Sequence, residues 1–346
     1  MVVVVLIVAL AILNAFFFLA FLRRTSNAKQ REYRRRNLAF PLSNTLKILQ
    51  ISDVQIGREQ DRCKDLTTEE MRWPCDAHNT TRFIKRLLQQ DRPDFVVFTG
   101  DNVYGTHGDA YAQKMLSLIT APVAAAGIPF AVITGNHDVE LPWMSIRAMH
   151  SFLQKKRSRG GAGAVLSGNG VINFERENQT VLQVWLFEYM HSNCVFCYNG
   201  AYTSHGQYQP ITTDQILFFE ASRKDNTTGI AFAHVPVQAY SRAQDKLGNF
   251  SEPVHHADAS HFYSALLRGK IDVLSVGHDH VNDFCGRAEN KMSLCYAGSA
   301  GYTTYGAMGR ARRARVFLVN TDQISTYLRL DDVSFSQENF QHLWLA

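Results

Sequence analysis

Five short apolar runs, each followed at once by a polar cluster, constrain the fold of this chain more than any other feature. Each run has five or six residues, many of them β-branched or aromatic, and is bounded by Gly, Pro or Asp. Because the runs are apolar on both faces, we predict strands buried between helices or between two sheets. The runs are residues 46–51, 95–99, 130–134, 229–233 and 271–276.

Amphipathic helical patterns and alternating patterns lie between these runs. The helical patterns, in which apolar residues share one face, cover residues 80–90, 110–126 and 212–224. Residues 171–188 alternate as a hairpin would, and residues 315–330 predict two further strands. The chain is therefore predicted to be α/β, a strand-rich sandwich rather than a single doubly wound sheet.

Each predicted buried strand ends in side chains that can hold metal ions. Loops at the carboxyl ends of strands form the binding crevice in α/β proteins, so we expect these side chains to converge. Their oxygen and nitrogen donors suit Zn, Fe or Mn, and there are too many for one ion and about enough for two. Two ions sharing a carboxylate clamp a phosphate and make a hydroxide nucleophile from bound water. The candidates are Asp53, Gln55, Asp101, Tyr104, Asn136, His137, Asp138, His234, His278 and His280.

In their order, these clusters resemble the calcineurin-like metallophosphoesterases, whose pattern is D-x-H, G-D-x, G-N-H-D/E, a later H, then G-H-x-H. Residues 93–102 and 276–286 are most similar to the short purple-acid-phosphatase-like proteins of plants and the fungal Dcr2-type phosphatases. The cysteines at 63, 75, 285 and 295 belong to the same resemblance. The resemblance implies a four-layer α/β/β/α sandwich. It also implies two divalent or trivalent ions (Fe, Zn or Mn) at the edge between the sheets.

The resemblance further implies a role for each matching residue. Asp101 would bridge the two ions. The remaining ligands would be Asp53 and His280 for the first ion, and Asn136, His234 and His278 for the second. His137 would contact the substrate phosphate and stabilise or protonate the leaving oxygen. Asp138 would orient His137.

The first motif departs from the family pattern, because Gln55 stands where a histidine is expected. A glutamine carbonyl is a weaker ligand than an imidazole. Tyr104 lies three residues after Asp101, as in purple acid phosphatases, whose tyrosine ligates ferric iron. We therefore expect Tyr104 to ligate the first metal, with Gln55 as a weak ligand or as a residue that contacts the ligands. The alternative is that Tyr104 only packs against the edge of the sheet. His205, in a loop between predicted elements, is a candidate substrate contact.

Residues 1–22 are expected to form an uncleaved transmembrane anchor. Residues 2–22 carry no charge and are long enough to span a bilayer. A cleaved signal peptide is the alternative, but its basic residues usually precede the apolar run, and here they follow it. Residues 23–45 are interpreted as a basic juxtamembrane linker and residues 46–346 as the phosphoesterase domain.

Two features of the sequence make opposite predictions about the side of the membrane on which the domain lies. Seven Lys or Arg residues between Arg23 and Arg36 favour a cytosolic domain. Six cysteines in three close pairs favour disulfides and an oxidising compartment. One pair, Cys194 and Cys197, could instead be half of a zinc site, but no second pair has that spacing. We expect a lumenal or extracellular domain, with the cytosolic side left open.

The predicted activity is hydrolysis of phosphomonoesters by a metal-bound hydroxide. A phosphodiesterase acting on a nucleotide or lipid head group is an alternative, because the same metal core would serve it. A membrane-anchored pseudoenzyme with a weakened first-metal site is the other, and Gln55 favours it. The expected partners are a phosphorylated small molecule or phosphoprotein and the lipid bilayer. Nucleic acid is not expected, because the net charge of +5 is accounted for by the N-terminal basic cluster.

Overall fold

The computed structural model describes residues 33–57, 61–72, 74–103, 109–138, 149–153, 165–189, 208, 210–257, 259–288 and 292–343. Its strands, in chain order, are β1 (Arg34–Ala39), β2 (Leu46–Ile51), β3 (Phe95–Thr99), β4 (Phe130–Ile133), β5 (Val165–Ser167), β6 (Gly170–Arg176), β7 (Gln179–Leu186), β8 (Thr228–Phe232), β9 (Gln244–Leu247), β10 (Val273–Val276), β11 (Cys285–Arg287), β12 (Ser293–Tyr296), β13 (Arg313–Val319), β14 (Ile324–Leu330) and β15 (Gln337–Leu343). The α-helices are α1 (Ala77–Asp91), α2 (Asp109–Ala125), α3 (Thr213–Ser222) and α4 (Ser260–Arg268), and two 3-10 helices cover Glu70–Arg72 and Gln238–Arg242.

Side-chain caps fix where two of the helices begin. The carboxylate of Asp76 accepts a hydrogen bond from the backbone N–H of His78 at 2.8 Å and so caps α1. Thr212 and Gln215 form a capping box at the start of α3, each side chain accepting from the backbone N–H of the other. Both helices start within a few residues of the positions that the apolar periodicity predicts.

Within the described residues, one sheet has seven strands in the order β15-β14-β13-β2-β3-β4-β5. The strands β2, β3, β4 and β5 are parallel neighbours, and β13 joins the other side of β2 in antiparallel pairing. The three apolar runs predicted from the first half of the chain are β2, β3 and β4. All three carboxyl ends therefore lie at one edge of this sheet.

The second sheet has eight strands among the described residues, in the order β1-β6-β7-β8-β10-β12-β11-β9. Here β7, β8, β10 and β12 are parallel, so their carboxyl ends also share an edge. The strand β6 is antiparallel to β7, and β1 is parallel to β6, with Arg34 opposite Gly170. The beginning of β1 therefore lies at the edge where β7 and β8 end.

Three apolar clusters divide the domain into four layers. The central cluster combines side chains of both sheets, such as Phe95 from β3 and Val184 from β7. A second cluster joins the seven-stranded sheet to α1 and α2, and a third joins the eight-stranded sheet to α3 and α4. The order of layers is helices, sheet, sheet, helices, which is the α/β/β/α sandwich expected from the sequence.

The strand β1 lies inside the range that the sequence analysis interprets as a linker. Its residues alternate between exposed and half-buried, and it pairs with β6 along six residues at the edge of the eight-stranded sheet. Residues 34–39, which the sequence analysis assigns to the linker, therefore belong to the eight-stranded sheet. The expected anchor, residues 1–22, lies outside the described residues, and no helix among the described residues is both long and apolar enough to cross a membrane.

Among the described residues there are two disulfides, Cys63–Cys75 and Cys285–Cys295. The second links neighbouring strands, since Cys285 in β11 is paired with Cys295 in β12, and both are buried. The expected use of the cysteines as local disulfides is confirmed for these two pairs. Cys194 and Cys197 lie outside the described residues.

Candidate metal centre

The loops that follow β2, β3, β4, β8 and β10 meet at one edge of the two sheets. Hydrogen bonds cross directly between these loops. The backbone N–H of His278, after β10, donates to the carboxylate of Asp53, after β2, at 3.0 and 3.1 Å. The imidazole of His234, after β8, donates from Nδ1 to the carbonyl oxygen of Thr99 at 2.9 Å. The two sheets thus bring residues from distant parts of the chain into one buried cluster.

Two groups of three side chains in this cluster could hold a metal ion, and Asp101 belongs to both. In each group, one ligand atom per residue lies within 4.8 Å of the others, and all the residues are buried. The groups are Asp53, Asp101 and His280, and Asp101, His234 and His278. The side-chain oxygen Oδ1 of Asn136 is 3.1 Å from Nε2 of His234, beside the second group. Oxygen and nitrogen donors around a shared carboxylate fit two transition-metal ions.

Backbone carbonyls orient two of the imidazoles for metal binding. The carbonyl oxygen of Tyr305 can only accept, so His280 must donate to it from Nδ1, at 2.8 Å. His234 donates from Nδ1 to Thr99 in the same way. In each ring Nε2 then faces a carboxylate of the centre, at 3.2 Å in both cases. Such outer contacts fix the tautomer and the direction of a ligating histidine.

Four of the candidate residues have a positive φ angle. The φ angles are 52° at Asp53, 35° at Gln55, 51° at Asp101 and 77° at His278. Residues other than glycine rarely adopt positive φ, and when they do the cost is of the order of 1–3 kcal/mol each. The surrounding fold therefore holds these side chains at the centre against local backbone preference, as is common at functional sites.

Two glycines allow the loops to approach the centre closely. A Cβ on Gly135 would overlap the carboxylate of Asp101 and lie 2.7 Å from Cδ2 of His234. A Cβ on Gly277 would overlap the side chains of Ser52 and Asp53. Only a residue without a side chain leaves the carboxylates where they are.

Without metal, the ionisable side chains of the centre shift one another's pKa values. Burial would raise the pKa of Asp101, but the nearby His234 and His137 hold it well below its ordinary value. Burial would lower the pKa of His234, but Asp101 raises it to about 10. Burial, together with the charge of His234, lowers the pKa of His278 well below its ordinary value. The centre thus combines an ionised carboxylate, a protonated imidazole and a neutral imidazole.

His137 lies at the open side of the centre. Its backbone N–H donates to Asp101 at 2.9 Å, and its Nε2 is 3.9 Å from the other oxygen of the same carboxylate. The side chain is 30% exposed, whereas that of Asp101 is 1% exposed. His137 can therefore reach both the centre and a bound molecule.

Asp138 joins the loops that follow β3 and β4. Its carboxylate accepts hydrogen bonds from the backbone N–H groups of Gly135, Asn102 and Val103, and from the side-chain amide of Asn102, all at 2.9–3.0 Å. Burial, and then the charge of Asp101, raise its pKa to about 6. The role implied by the resemblance is to orient His137. These four contacts give Asp138 a second role, since they set the position of the loop that carries Asp101.

Gln55 points its amide into the first group of ligands. The amide Nε2 donates to Asp101 at 2.9 Å and lies 3.4 Å from Nε2 of His280, while Oε1 accepts from the hydroxyl of Thr304. Rotating the amide by 180° would present the oxygen to the centre and let the nitrogen donate to Thr304. Gln55 is therefore within reach of the first metal position and can offer it one neutral oxygen.

The loop after β12 supports this side of the centre and was not predicted from the sequence. Thr304 contacts Gln55, and the ring of Tyr305 stacks on that of His280, with 3.9 Å between centroids. The buried Arg312 donates to the carbonyl oxygens of both Thr304 and Tyr305. Because β12 is parallel to β10, its carboxyl end meets the same edge. Recognising the short strand Ser293–Tyr296 would have placed this loop at the centre.

Besides His137, one more histidine that is not a candidate ligand lies near the metal ligands. His255 donates from Nδ1 to the buried carboxylate of Asp279 at 2.8 Å, and Tyr296 donates to the other oxygen of that carboxylate at 2.5 Å. The ring of His255 is 6.4 Å from that of His278, and its side chain is 52% exposed. Asp279 lies between the candidate ligands His278 and His280 in the sequence, and this position could have indicated the pair of Asp279 and His255.

Two candidate residues cannot be placed. Tyr104, the expected ligand of the first metal, and His205, the expected substrate contact, both lie outside the described residues. The other candidates, from Asp53 to His280, are all within the cluster.

Comparison with known proteins bears on this centre. A model of the family described as calcineurin-like phosphoesterase matches residues 46–282, which include every candidate ligand described above. The chain belongs to the calcineurin-like phosphoesterase family. Calcineurin-like phosphoesterases use a centre of two metal ions, and the two ligand groups around Asp101 fit such a centre.

Relatives of this calcineurin-like phosphoesterase occur in plants and yeasts. A protein of Arabidopsis thaliana named "Probable inactive purple acid phosphatase 14" is 30% identical, over 90% of this chain and 87% of its own length. "Phosphatase DCR2" of Saccharomyces cerevisiae is 28% identical, over 82% of this chain and 54% of its own length. The crystal structure of a dimetal phosphatase from Danio rerio has the same fold, with a TM-score of 0.59 and 12% identity, covering 87% of this chain and 99% of that one.

Proposed function

We propose that this protein hydrolyses phosphomonoesters at a centre of two metal ions. The observation that supports the proposal is the pair of buried ligand groups that share the carboxylate of Asp101. The donor set fits Fe, Zn or Mn. When bound, such a pair of ions neutralises phosphate charge and supplies an activated water as nucleophile.

The protein's own residues would hold the ions in place and bind the substrate. Asp101 would hold the two ions at a fixed separation, and the loops joined by Asp138 would hold Asp101. His137, whose side chain is partly exposed beside the centre, would bind a phosphate oxygen of the substrate and give a proton to the leaving oxygen. His255, oriented by Asp279, would bind the substrate from the side of the second ion.

One observation favours a second candidate function, a protein that binds phosphate but does not hydrolyse phosphoesters. Gln55 fills the ligand position next to Asp101 and His280 with an amide rather than an imidazole. A neutral oxygen holds a transition metal less strongly than a nitrogen donor does. The plant relative described above carries "inactive" in its name, which concerns that protein and makes the same question pertinent here.

We further propose that the domain lies on the lumenal or extracellular side of a membrane, attached through residues 1–22. The support is that the two disulfides join residues of the folded domain, and such bonds persist in oxidising compartments. Its substrates would then be phosphorylated small molecules or phosphoproteins of that compartment.

The test is hydrolysis of p-nitrophenyl phosphate and bis-p-nitrophenyl phosphate by the full chain, from acidic to neutral pH, with metal content measured on the same sample. We expect about two ions per chain and turnover of the monoester. The variant H137A should lose turnover and keep its metals, and D101N should lose both. The exposed His78, in the first turn of α1 and not a member of either ligand group, provides a matched histidine control, H78A, that should change neither.

Each other outcome has a defined meaning. Turnover of the bis-ester alone would replace the phosphomonoesterase with a phosphodiesterase. One ion or none, with no turnover even when metal is added, would favour the binding protein. Gain of a second ion and of turnover in Q55H would then identify Gln55 as the cause.

A further inference from the structure

Two of the four Asn-x-Ser/Thr sequons of the chain lie at exposed turns. Asn178 is in the two-residue turn between β6 and β7, and Asn226 is in the turn just before β8. Both are exposed and have left-handed φ angles, 63° and 53°, which asparagine tolerates well. Neither side chain is hydrogen-bonded to another residue in the part of the chain that the structure describes. Both amides are therefore open to modification.

The other two sequons use their asparagine inside the fold. Asn79 is in the first turn of α1, 8% exposed, and its amide donates to the sulfur of Cys75. Asn249 donates from Nδ2 to the carbonyl oxygen of Val281 at 2.8 Å and accepts from Ser251 at 2.7 Å. An oligosaccharide on Asn79 would stand where the protein packs against itself, and one on Asn249 would replace a hydrogen of the half-buried amide that donates to Val281.

The two open sequons share one edge of the eight-stranded sheet. Leu182 of β7 is opposite Thr228 of β8, so the turns that precede these parallel strands are neighbours. His234 follows β8 at its other end. Eight residues of extended chain separate Asn226 from His234, about 26 Å at ~3.3 Å per residue. A bulky group on either asparagine would therefore leave the metal centre open.

We infer that Asn178 and Asn226 carry N-linked oligosaccharides and that Asn79 and Asn249 do not. The donor is a lipid-diphosphate-linked oligosaccharide, delivered by a transferase of the secretory compartment. The bond from Nδ2 to the anomeric carbon forms as the bond from that carbon to the diphosphate oxygen breaks. The amide gives one proton to the enzyme, and the lipid diphosphate leaves.

This inference rests on the lumenal or extracellular placement proposed above, and its test also decides between the two opposing signals in the sequence. A basic flank after the apolar segment favours the cytosol, whereas disulfides favour the lumen. Glycan transfer occurs only on the lumenal side. The inference does not depend on catalysis, so it stands or falls separately from the proposed hydrolysis.

The experiment is expression of the full chain in a eukaryotic secretory host, followed by treatment with peptide-N-glycosidase and gel or mass analysis. The enzyme should remove two glycans from the wild-type chain. N178Q and N226Q should each lose one, and the double variant should show no shift. N79Q and N249Q should keep both glycans wherever the variant is recovered folded.

Threonine variants separate loss of the glycan from loss of the asparagine. T228A removes the sequon of Asn226 and should lose one glycan, whereas T228S keeps the sequon and should keep it. Absence of any shift in the wild-type chain would overturn the inference, and so would a shift that persists in the double variant. Thermal unfolding of the enzymatically deglycosylated chain, compared with that of the double variant, checks that the variants are folded.

Discussion

Metal binding should release a proton from His234, and the affinity should therefore depend steeply on pH. In the metal-free protein, Nε2 of His234 is 3.2 Å from Asp101. Burial lowers the pKa of this imidazole, but Asp101, with smaller contributions from Asp53 and Thr99, raises it to about 10. The stabilising contact is complete below the ordinary pKa of 6.5 and is lost as pH rises through 10. At neutral pH the proton thus occupies the nitrogen that the second metal needs.

The size of this effect on metal affinity follows from the difference between the pH and the pKa of His234. At pH 7 the difference is about three units, and at ~1.36 kcal/mol per unit the proton costs the incoming ion about 4 kcal/mol. The apparent association constant of the second ion should then be about 1,000-fold below its limit at pH 7 and rise about tenfold per pH unit. His278 should add no proton, because its pKa is lowered well below the ordinary value.

Calorimetric titration of the metal-free protein with Zn²⁺ or Mn²⁺ measures this directly. At one pH, the observed enthalpy plotted against the ionisation enthalpy of several buffers gives the number of protons released. We expect about one for the second ion. A slope of zero, together with an affinity that does not change between pH 6.5 and 8, would refute the assignment of the proton to His234.

Three further predictions concern the support of the centre and of the fold. In G135A the new Cβ overlaps Asp101, so we expect at least tenfold weaker metal binding, measured as metal content after dialysis. In D138N an amide nitrogen replaces one oxygen that accepts two hydrogen bonds, so unfolding by urea should show a loss of about 2–4 kcal/mol. Replacing both Cys285 and Cys295 with Ala opens a loop with a separation of 10 residues, so stability should fall by about 3 kcal/mol, and reducing agent should lower the melting temperature by less than it does in the wild-type chain, because Cys63–Cys75 can still be reduced.

The strands that deliver the metal ligands were predictable because each is buried on both faces. Continuous apolar runs such as those of β2 and β10 are the pattern that such burial requires. The glycines and carboxylates that follow them then place the ligands, so most of the centre could be inferred from the sequence alone.

The edge strands were not predictable, since backbone pairing with a neighbour rather than side-chain burial holds them in place. The strand β1 reads Arg-Arg-Arg-Asn-Leu-Ala and β15 reads Gln-Glu-Asn-Phe-Gln-His-Leu, and both are mostly exposed or half-buried. Neither has the apolar run or the clean alternation that marks a strand. The supporting contacts of Thr304 and Tyr305 were missed for a related reason, because β12 is only four residues long.

The direction of β1 places the start of the folded chain at the edge of the sheet that carries the candidate metal centre. Arg34 enters the sheet at the edge where β7 and β8 end, with β6 and β7 between it and β8, the strand that precedes His234. Residues 23–33 link that point to the apolar segment, and 11 residues can reach at most about 40 Å. On a chain anchored by that segment, Arg34 would stay within this distance of the surface that holds the anchor, at the same edge of the sheet as the metal centre. Phosphoesters in that surface would then meet the centre at a high local concentration, while those in bulk solution would have to enter the gap.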